Sequence, residues 1–130
     1  MKILVGYDRS RVAEDALKLA HEHARAFKAD IHLLISLQQG PDLHKEDIDA
    51  AESRLDNLQL AGNFDKIICE THASVTYLTP GEDLVQFAKN NAVDYIFIGV
   101  KKRSKVGKLV FGSTAQYVIL EAPCPVVTIK

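Results

Sequence analysis

The feature that most constrains the fold of this chain is the regular alternation of short apolar runs with amphipathic helical patterns. Ile3–Val5, Ile31–Leu37 and Tyr95–Ile98 are largely apolar runs of the kind found in strands that are buried on both faces. Apolar residues recur at steps of three and four over 11–28 and 45–61, as in helices packed on one face. Strands separated by such helices form right-handed crossovers and a mostly parallel sheet. The pattern therefore predicts an α/β fold.

The third strand is the least certain element of this pattern. The segment 64–73 either opens a strand or extends the preceding helix, because periodicity over so short a run cannot decide. Val75–Leu78 is the better strand candidate. Gly62-Asn63 is the predicted stop of the helix before it.

The second half of the chain repeats the same alternation. Thr79-Pro80-Gly81 predicts a turn before a helix that begins at Glu82, and Asn90-Asn91 ends that helix. A basic loop follows over 101–108, Gly112-Ser113 begins a last helix, and Val126–Ile129 is the closing strand.

Length and composition restrict the function classes. The 130 residues form one domain, 1–130, and 47% apolar with 25% charged residues is the composition of a globular protein. The 16 basic and 17 acidic side chains exclude a general argument for nucleic acid or an acidic membrane surface. No apolar run approaches the roughly 20 residues of a membrane span, and no secretory signal begins the chain, so we expect a cytoplasmic protein.

The segment after the fourth predicted strand is the most informative for function. Gly99 ends the strand, a basic loop follows, and Gly112-Ser113 begins a helix. The free N–H groups and positive dipole end at such a helix start favour a phosphate, with the loop lysines adding charge. Two readings stay open: a phosphate site, or an ordinary turn and N-cap beside a solvated loop.

No set of residues predicts catalysis. The five histidines are scattered, and His21 and His23 point in different directions on one helix, so no metal site is expected. Cys69 and Cys124 lack the spacing of a zinc, redox or disulfide site, which favours structural thiols. No general base or Walker lysine motif accompanies the candidate phosphate site, so we expect at most slow, incidental hydrolysis.

Several separated motifs make the chain resemble the universal stress protein family over its whole length. Asp8-Arg9-Ser10 is similar to that family's Asp-Gly-Ser, and Leu33-Leu34-Ile35-Ser36 is similar to its Leu-Leu-His-Val. The ending Cys124-Pro125-Val126 looks like the family's Cys-Pro-Val. The resemblance implies an adenine nucleotide alpha hydrolase-like, three-layer α/β/α sandwich whose five-stranded, mostly parallel, twisted sheet has the order 3-2-1-4-5.

Members of the family that bind ATP carry a glycine, two residues, a second glycine, nine residues and then Gly-Ser or Gly-Thr. Gly99, Gly112 and Ser113 fit this spacing, whereas Lys102 occupies the position of the second glycine. The Lys102 ammonium could supply charge to a triphosphate. Alternatively, its side chain could close the path that the phosphates need, as in members that do not bind ATP.

The resemblance also implies a set of nucleotide contacts at the carboxyl ends of the strands. Asp8 would lie beside the adenosine, Ser36 against the adenine through its backbone, and Gly99 near the ribose and α-phosphate. The implied nucleotide-binding residues are Gly6, Asp8, Ser36, Gly99, Lys102, Gly112, Ser113 and Thr114. The implied cofactor is ATP or another adenine nucleotide, with magnesium or manganese carried mainly on phosphate oxygens.

The closing strand suggests a second partner. The last strand of a sheet is an edge with unpaired backbone groups, which pairing with a second copy would cover. Family members commonly dimerise in this way, so we expect a homodimer through Val126, Val127, Thr128 and Ile129. The expected function is a stress-response regulatory module that binds an adenine nucleotide. The alternative is a stress-response interaction protein whose nucleotide site is occluded or vestigial, acting on a regulatory partner that the sequence does not identify.

Overall fold

The fold is that of a computed structural model. The structure describes residues 1–61, 67–101, 103–105, 108–110 and 112–130. At 61, 103–105 and 108–110 it describes the backbone and not the side chains. In the part of the chain that the structure describes, every helix is too short or too polar to span a lipid bilayer.

Seven strands and four helices follow one another along the described chain. The strands are β1 (Lys2–Gly6), β2 (Asp30–Gln38), β3 (Cys69–Thr76), β4 (Tyr95–Gly99), β5 (Arg103–Lys105), β6 (Lys108–Val110) and β7 (Val126–Ile129). The helices are α1 (Arg11–Phe27), α2 (Lys45–Ala61), α3 (Pro80–Asn90) and α4 (Ser113–Glu121).

The main sheet has five parallel strands in the order β3-β2-β1-β4-β7. Counted among the sheet strands alone, this is the predicted order 3-2-1-4-5, so the predicted α/β sandwich is confirmed. Alternate residues of β1 serve the two faces: Ile3 and Val5 pack against α1 and α2, whereas Leu4 packs against α3 and α4. The sheet is therefore buried on both faces, which is why its central strands are continuously apolar.

The third strand differs from its prediction. It covers Cys69–Thr76 rather than Val75–Leu78, and its register pairs Ile31 with Cys69 and Gln38 with Thr76. The strand lies at the edge of the sheet. Apart from the buried Cys69, its side chains are partly or largely exposed, and several are polar, among them Glu70 and His72. That mixture hid the strand from a search for apolar runs. The predicted helix stop at Gly62-Asn63 and residues 64–66 lie outside the described residues.

The predicted basic loop also contains secondary structure. β5 and β6 pair antiparallel as a separate two-stranded sheet, with Arg103 opposite Val110 and Lys105 opposite Lys108. The prediction of a basic loop over 101–108 is therefore wrong at Arg103–Lys105 and Lys108, which belong to strands. Sequence periodicity cannot detect strands of three residues, because they hold barely one period of alternation.

Candidate nucleotide-binding cleft

A cleft of about 660 Å³ lies at the carboxyl ends of β1, β2 and β4. The crevice beyond the strand ends is the place where open α/β sheets bind ligands. Seven of the eight sequence-predicted residues line it, and they are Gly6, Asp8, Ser36, Gly99, Gly112, Ser113 and Thr114. The eighth, Lys102, lies outside the described residues. The structure thus brings together residues from three strand ends and one helix start that are more than 100 positions apart in sequence.

The loop after β1 forms one wall of the cleft. Asp8 accepts hydrogen bonds from the backbone N–H and the hydroxyl of Ser10, both at its Oδ1 atom. Ser10 in turn is the N-cap of α1 and accepts from the N–H of Ala13 at 3.2 Å. Arg9 between them has a φ of 68°, a left-handed conformation that is uncommon for a residue with a side chain. The Asp8 carboxylate is thereby held at the cleft by the start of α1.

The floor of the cleft is apolar, and its side chains were not among the predicted nucleotide contacts. Leu34, Ile35 and Leu37 from β2 line it together with Leu84 of α3 and Ile98 of β4. Apolar walls with a few polar groups are the usual lining of a small-molecule site. For the four strand residues, the signal that could have revealed them is their position near the carboxyl ends of β2 and β4, next to the residues already predicted.

The side chain of Ser36 is held by a hydrogen bond to a neighbouring helix. Its hydroxyl donates a hydrogen bond of 2.7 Å to Oδ2 of Asp83, a buried carboxylate in the first turn of α3. A buried carboxylate is costly without such partners. The side chain of Ser36 therefore joins β2 to α3, whereas the ligand contact that the family resemblance implies is through its backbone.

Gly99 has a packing reason to be glycine. A Cβ atom at this position would lie 2.5 Å from the carbonyl carbon of Val12 and 2.7 Å from the nitrogen of Ala13, both in the backbone of α1. No side chain can shift to relieve such a contact, because both atoms belong to the helix backbone. The glycine lets α1 approach the end of β4, whatever else contacts it.

Gly112 is in the opposite situation. A Cβ atom here would meet open space, and its φ of −64° is accessible to any residue. Gly112 is the N-cap of α4 and provides no side-chain acceptor, and the first turn of α4 holds no acidic residue. The first N–H groups of a helix have no carbonyl one turn before them. The start of α4 therefore presents uncapped donors and the positive end of its dipole to the cleft.

Two positive side chains line the same cleft as this helix start. Arg9 and the exposed Lys101 line the same cleft. The remaining basic positions of the 101–108 segment either lie outside the described residues or have side chains that the structure does not describe. Asp8, next to Arg9 in the loop after β1, brings a negative charge to the same cleft.

The two cysteines form no disulfide and lie away from the cleft lining. Burial raises the pKa of the Cys69 thiol to about 11, and burial followed by the charge of Asp94 raises that of Cys124. Thiols with raised pKa values react poorly as nucleophiles near neutral pH. Their environment agrees with the structural role that their spacing indicated.

The profile of the universal stress protein family matches residues 1–130 of this chain. The chain belongs to the universal stress protein family. This universal stress protein is 29% identical to one from Thermus aquaticus over 138 residues, covering 98% of this chain and 97% of the relative.

Solved structures agree with this assignment. A universal stress protein from Archaeoglobus fulgidus shares 37% identity and a TM-score of 0.88, covering 100% of this chain and 98% of that one. A structure of the universal stress protein from Archaeoglobus fulgidus in complex with dAMP shares 32% identity and a TM-score of 0.82, again over 100% and 98% of the two chains. The family predicted from separated motifs is therefore confirmed.

Proposed function

We propose that this universal stress protein binds an adenine nucleotide in the cleft and serves as a stress-response regulatory module. The observation that carries the proposal is the start of α4, where Gly112 leaves the first N–H groups uncapped at the wall of a cleft with an apolar floor. An anion-binding end beside an apolar floor suits a ligand that has both phosphate and a flat aromatic base. The solved relative with dAMP supports the same ligand class.

The proposed pose follows from this polarity. The adenine lies against the strand ends near Ile35 and Ser36, and the adenosine lies beside Asp8. The ribose and α-phosphate lie near Gly99, and further phosphates reach the N–H groups of Ser113 and Thr114. Magnesium or manganese, where present, is carried mainly on phosphate oxygens.

Lys102 decides between the proposal and its alternative, an interaction protein with an occluded or vestigial site. The measurement is titration calorimetry with ATP, ADP and AMP, with and without Mg²⁺, on wild type, Lys102→Ala and Lys102→Gly. Lys89→Ala is the matched control, because Lys89 is an exposed lysine in the last turn of α3, at the end opposite the cleft.

Each outcome of this titration has a defined meaning. If ATP binds to wild type and Lys102→Ala weakens it while Lys89→Ala does not, Lys102 is a phosphate ligand. If only Lys102→Gly binds, the lysine blocks the site and the alternative function holds for the natural chain. If neither wild type nor Lys102→Gly binds any of the three nucleotides, the proposed function is wrong.

We also propose that the module is not an efficient enzyme. The residues proposed at the phosphates are backbone donors, which position and stabilise charge but supply no general base. Purified protein incubated with ATP and Mg²⁺ is expected to leave most of the nucleotide intact over hours, as measured by chromatography. Turnover that disappears on changing Asp8 or Ser113 would instead indicate a catalytic site.

A second copy of the chain is the proposed partner of β7. Ile96 N–H donates to the carbonyl of Pro125, and Val100 N–H donates to that of Ile129. Because the direction of strand hydrogen bonds alternates, the backbone groups of Val126 and Thr128 point away from β4, towards the free edge. Antiparallel pairing of two such edges would satisfy them.

Thr128→Pro tests this pairing, because it removes a donor from the free edge without removing a hydrogen bond to β4. We expect sedimentation velocity to show a dimer for wild type and a monomer for the variant, with unchanged helix content by circular dichroism. A wild type that stays monomeric at high concentration would contradict the proposed dimer.

A further inference from the structure

A second cluster of polar side chains lies away from the nucleotide cleft, where β2 meets the edge strand β3. His32 comes from β2, and Glu70 and His72 come from β3. The parallel register places His32 opposite Glu70 and Leu34 opposite His72, so the three side chains share one face of the sheet. This is the face that packs against α3.

His32 is an unusual residue for its position. It lies within the apolar run of β2, directly between the buried Ile31 and Leu33, and is itself only 8% exposed. Burial of an imidazole is unfavourable unless its nitrogens have partners. A residue that departs from the local hydrophobic pattern in this way often serves a site rather than the core.

The donor atoms of the three side chains converge. Nδ1 of His32 is 3.2 Å from Nε2 of His72 and 3.4 Å from Oε2 of Glu70, and Nε2 of His72 is 3.9 Å from the same oxygen. Adjacent ligands of a tetrahedral zinc ion are about 3.3 Å apart, given Zn–N bonds of about 2.0 Å. A triangle with the observed sides has a point about 2.1 Å from all three corners, which is within the range of Zn–N and Zn–O bonds.

The surroundings hold the histidines and leave one side open. The two imidazoles are stacked with centroids 5.4 Å apart, and Phe87 of α3 packs on both rings, at 5.8 Å from His32 and 4.8 Å from His72. Glu70, by contrast, has 58% of its side chain exposed. The rings are thus pre-positioned by packing, while the carboxylate side gives an ion a path from solvent.

We propose that His32, Glu70 and His72 form a binding site for one divalent transition-metal ion, zinc being the ion tested. Two imidazoles and one carboxylate are ligands that zinc accepts readily, and they leave a fourth position for water or an external ligand. The site is separate from the nucleotide cleft, because none of the three residues lines that cleft. It therefore stands or fails independently of the proposed nucleotide binding.

The test is titration of metal-free, nucleotide-free protein with Zn²⁺ by calorimetry, combined with the visible spectrum of the Co²⁺ form. We expect one Zn²⁺ per chain and the d–d absorption of tetrahedral Co²⁺ without a thiolate charge-transfer band. His72→Gln should weaken binding by more than about tenfold, since even residues one shell beyond the ligands contribute that much. His44→Gln is the matched control, an exposed histidine in the loop before α2, and should leave affinity unchanged.

Two further measurements keep folding and binding apart. Glu70→Gln removes the charge of an exposed residue while keeping its shape, and it should weaken Zn²⁺ binding without changing the Tm of the metal-free protein. Saturating Zn²⁺ should raise the Tm of wild type and not that of His72→Gln. Absence of Zn²⁺ binding by wild type, equal affinity in His72→Gln, or a thiolate band in the Co²⁺ spectrum would overturn the proposal. In the first two cases the cluster is a hydrogen-bond network that only joins β3 to β2.

Discussion

The first turns of α3 and α4 both line the same cleft, yet the two helices differ in how their N-termini are capped. In α3, the side chain of Thr79 accepts from the N–H of Glu82 at 3.3 Å, and Oε1 of Glu82 accepts from the N–H of Thr79 at 3.0 Å. Pro80, which has no N–H, occupies the first turn as well. In α4 the N-cap is Gly112, with no side-chain cap and no acidic residue in the first turn.

This difference teaches which helix start is available to an anion. The capping box and carboxylates of α3 already neutralise its donors and its dipole. The first N–H groups of α4 have no side-chain cap, which makes the helix less stable than a capped one. A bound anion would accept from these N–H groups and stabilise the helix. The two helices pack on each other closely enough that a Cβ at Gly81 would lie 3.1 Å from Cβ of Tyr117. Of these two neighbouring helices, both of which pack in the core, α4 is therefore the one whose first N–H groups are left without a side-chain cap.

The largest expected effect on ATP affinity comes from placing a negatively charged N-cap at the start of α4. Gly112→Asp supplies a cap acceptor and a negative charge, whereas Gly112→Asn supplies a similar acceptor without the charge. We expect Gly112→Asp to weaken ATP binding by about 100-fold or more, because like charges about 4 Å apart near a protein surface repel by several kcal/mol. The measurement is calorimetry with ATP on both variants.

The open space around Gly112 lets both variants fold, and their stability is expected to equal or slightly exceed that of wild type. Equal ATP affinities for the Asp and Asn variants would mean that the phosphates do not lie at α4.

The next effect separates the two glycines of the family motif. Gly99→Ser forces a Cβ into the backbone of α1 and should lower the free energy of unfolding by about 1–3 kcal/mol, the usual cost of overpacking. The same substitution at Gly112 should change it by less than about 0.5 kcal/mol. Urea denaturation of both variants makes the comparison, and equal losses would contradict the distinct roles assigned to the two glycines.

A smaller effect on stability is expected from removing the N-cap of α3. Thr79→Ala removes the N-cap acceptor and should cost about 1 kcal/mol of stability while ATP affinity stays within about twofold. Ser113→Ala in the first turn of α4 is the counterpart and should cost less than about 0.5 kcal/mol. A Thr79→Ala variant that loses ATP binding but not stability would show that α3, not α4, meets the nucleotide.

The smallest effect is a pH dependence of α3. Hydrogen bonds from the backbone and then the side chain of Thr79 lower the pKa of Glu82 below its ordinary value of 4.5. A group whose pKa is lower in the folded state contributes stability above its unfolded pKa, and that contribution disappears as the pH falls through the folded pKa. Unfolding free energies between pH 7 and pH 3 should therefore fall less steeply for Glu82→Gln than for wild type. Parallel curves would indicate that the capping box does not act through the charge.

The sequence predicted the elements best where a continuous apolar run or a clear helical repeat marked them. β2, β4, β7 and the helices fall within one or two residues of their expected positions, and the largest shift at a helix start is that of α3, which begins at Pro80 rather than Glu82. The edge strand β3 was misplaced because most of its side chains are polar and partly exposed, so it lacks the continuous apolar run of the central strands. The same uncertainty hid the relation of Glu70 to His72, which stand two apart and therefore share a face only once the segment is known to be a strand.

The sequence by itself determined the alternation of strands and helices, the family and the place of the cleft, because these follow from periodicity and motifs that are local in the chain. Only the tertiary structure decided three contacts. The backbone at Val12 leaves no room for a Cβ atom at position 99, the hydroxyl of Ser36 donates to Asp83, and the ring nitrogens of His32 and His72 lie within hydrogen-bond distance. Each of these contacts joins residues about 40 to 90 positions apart. Parallel crossovers bring residues that are far apart in the chain next to each other. A local sequence pattern cannot predict these pairs, because the number of residues between two strands does not reveal which residues face each other across the sheet.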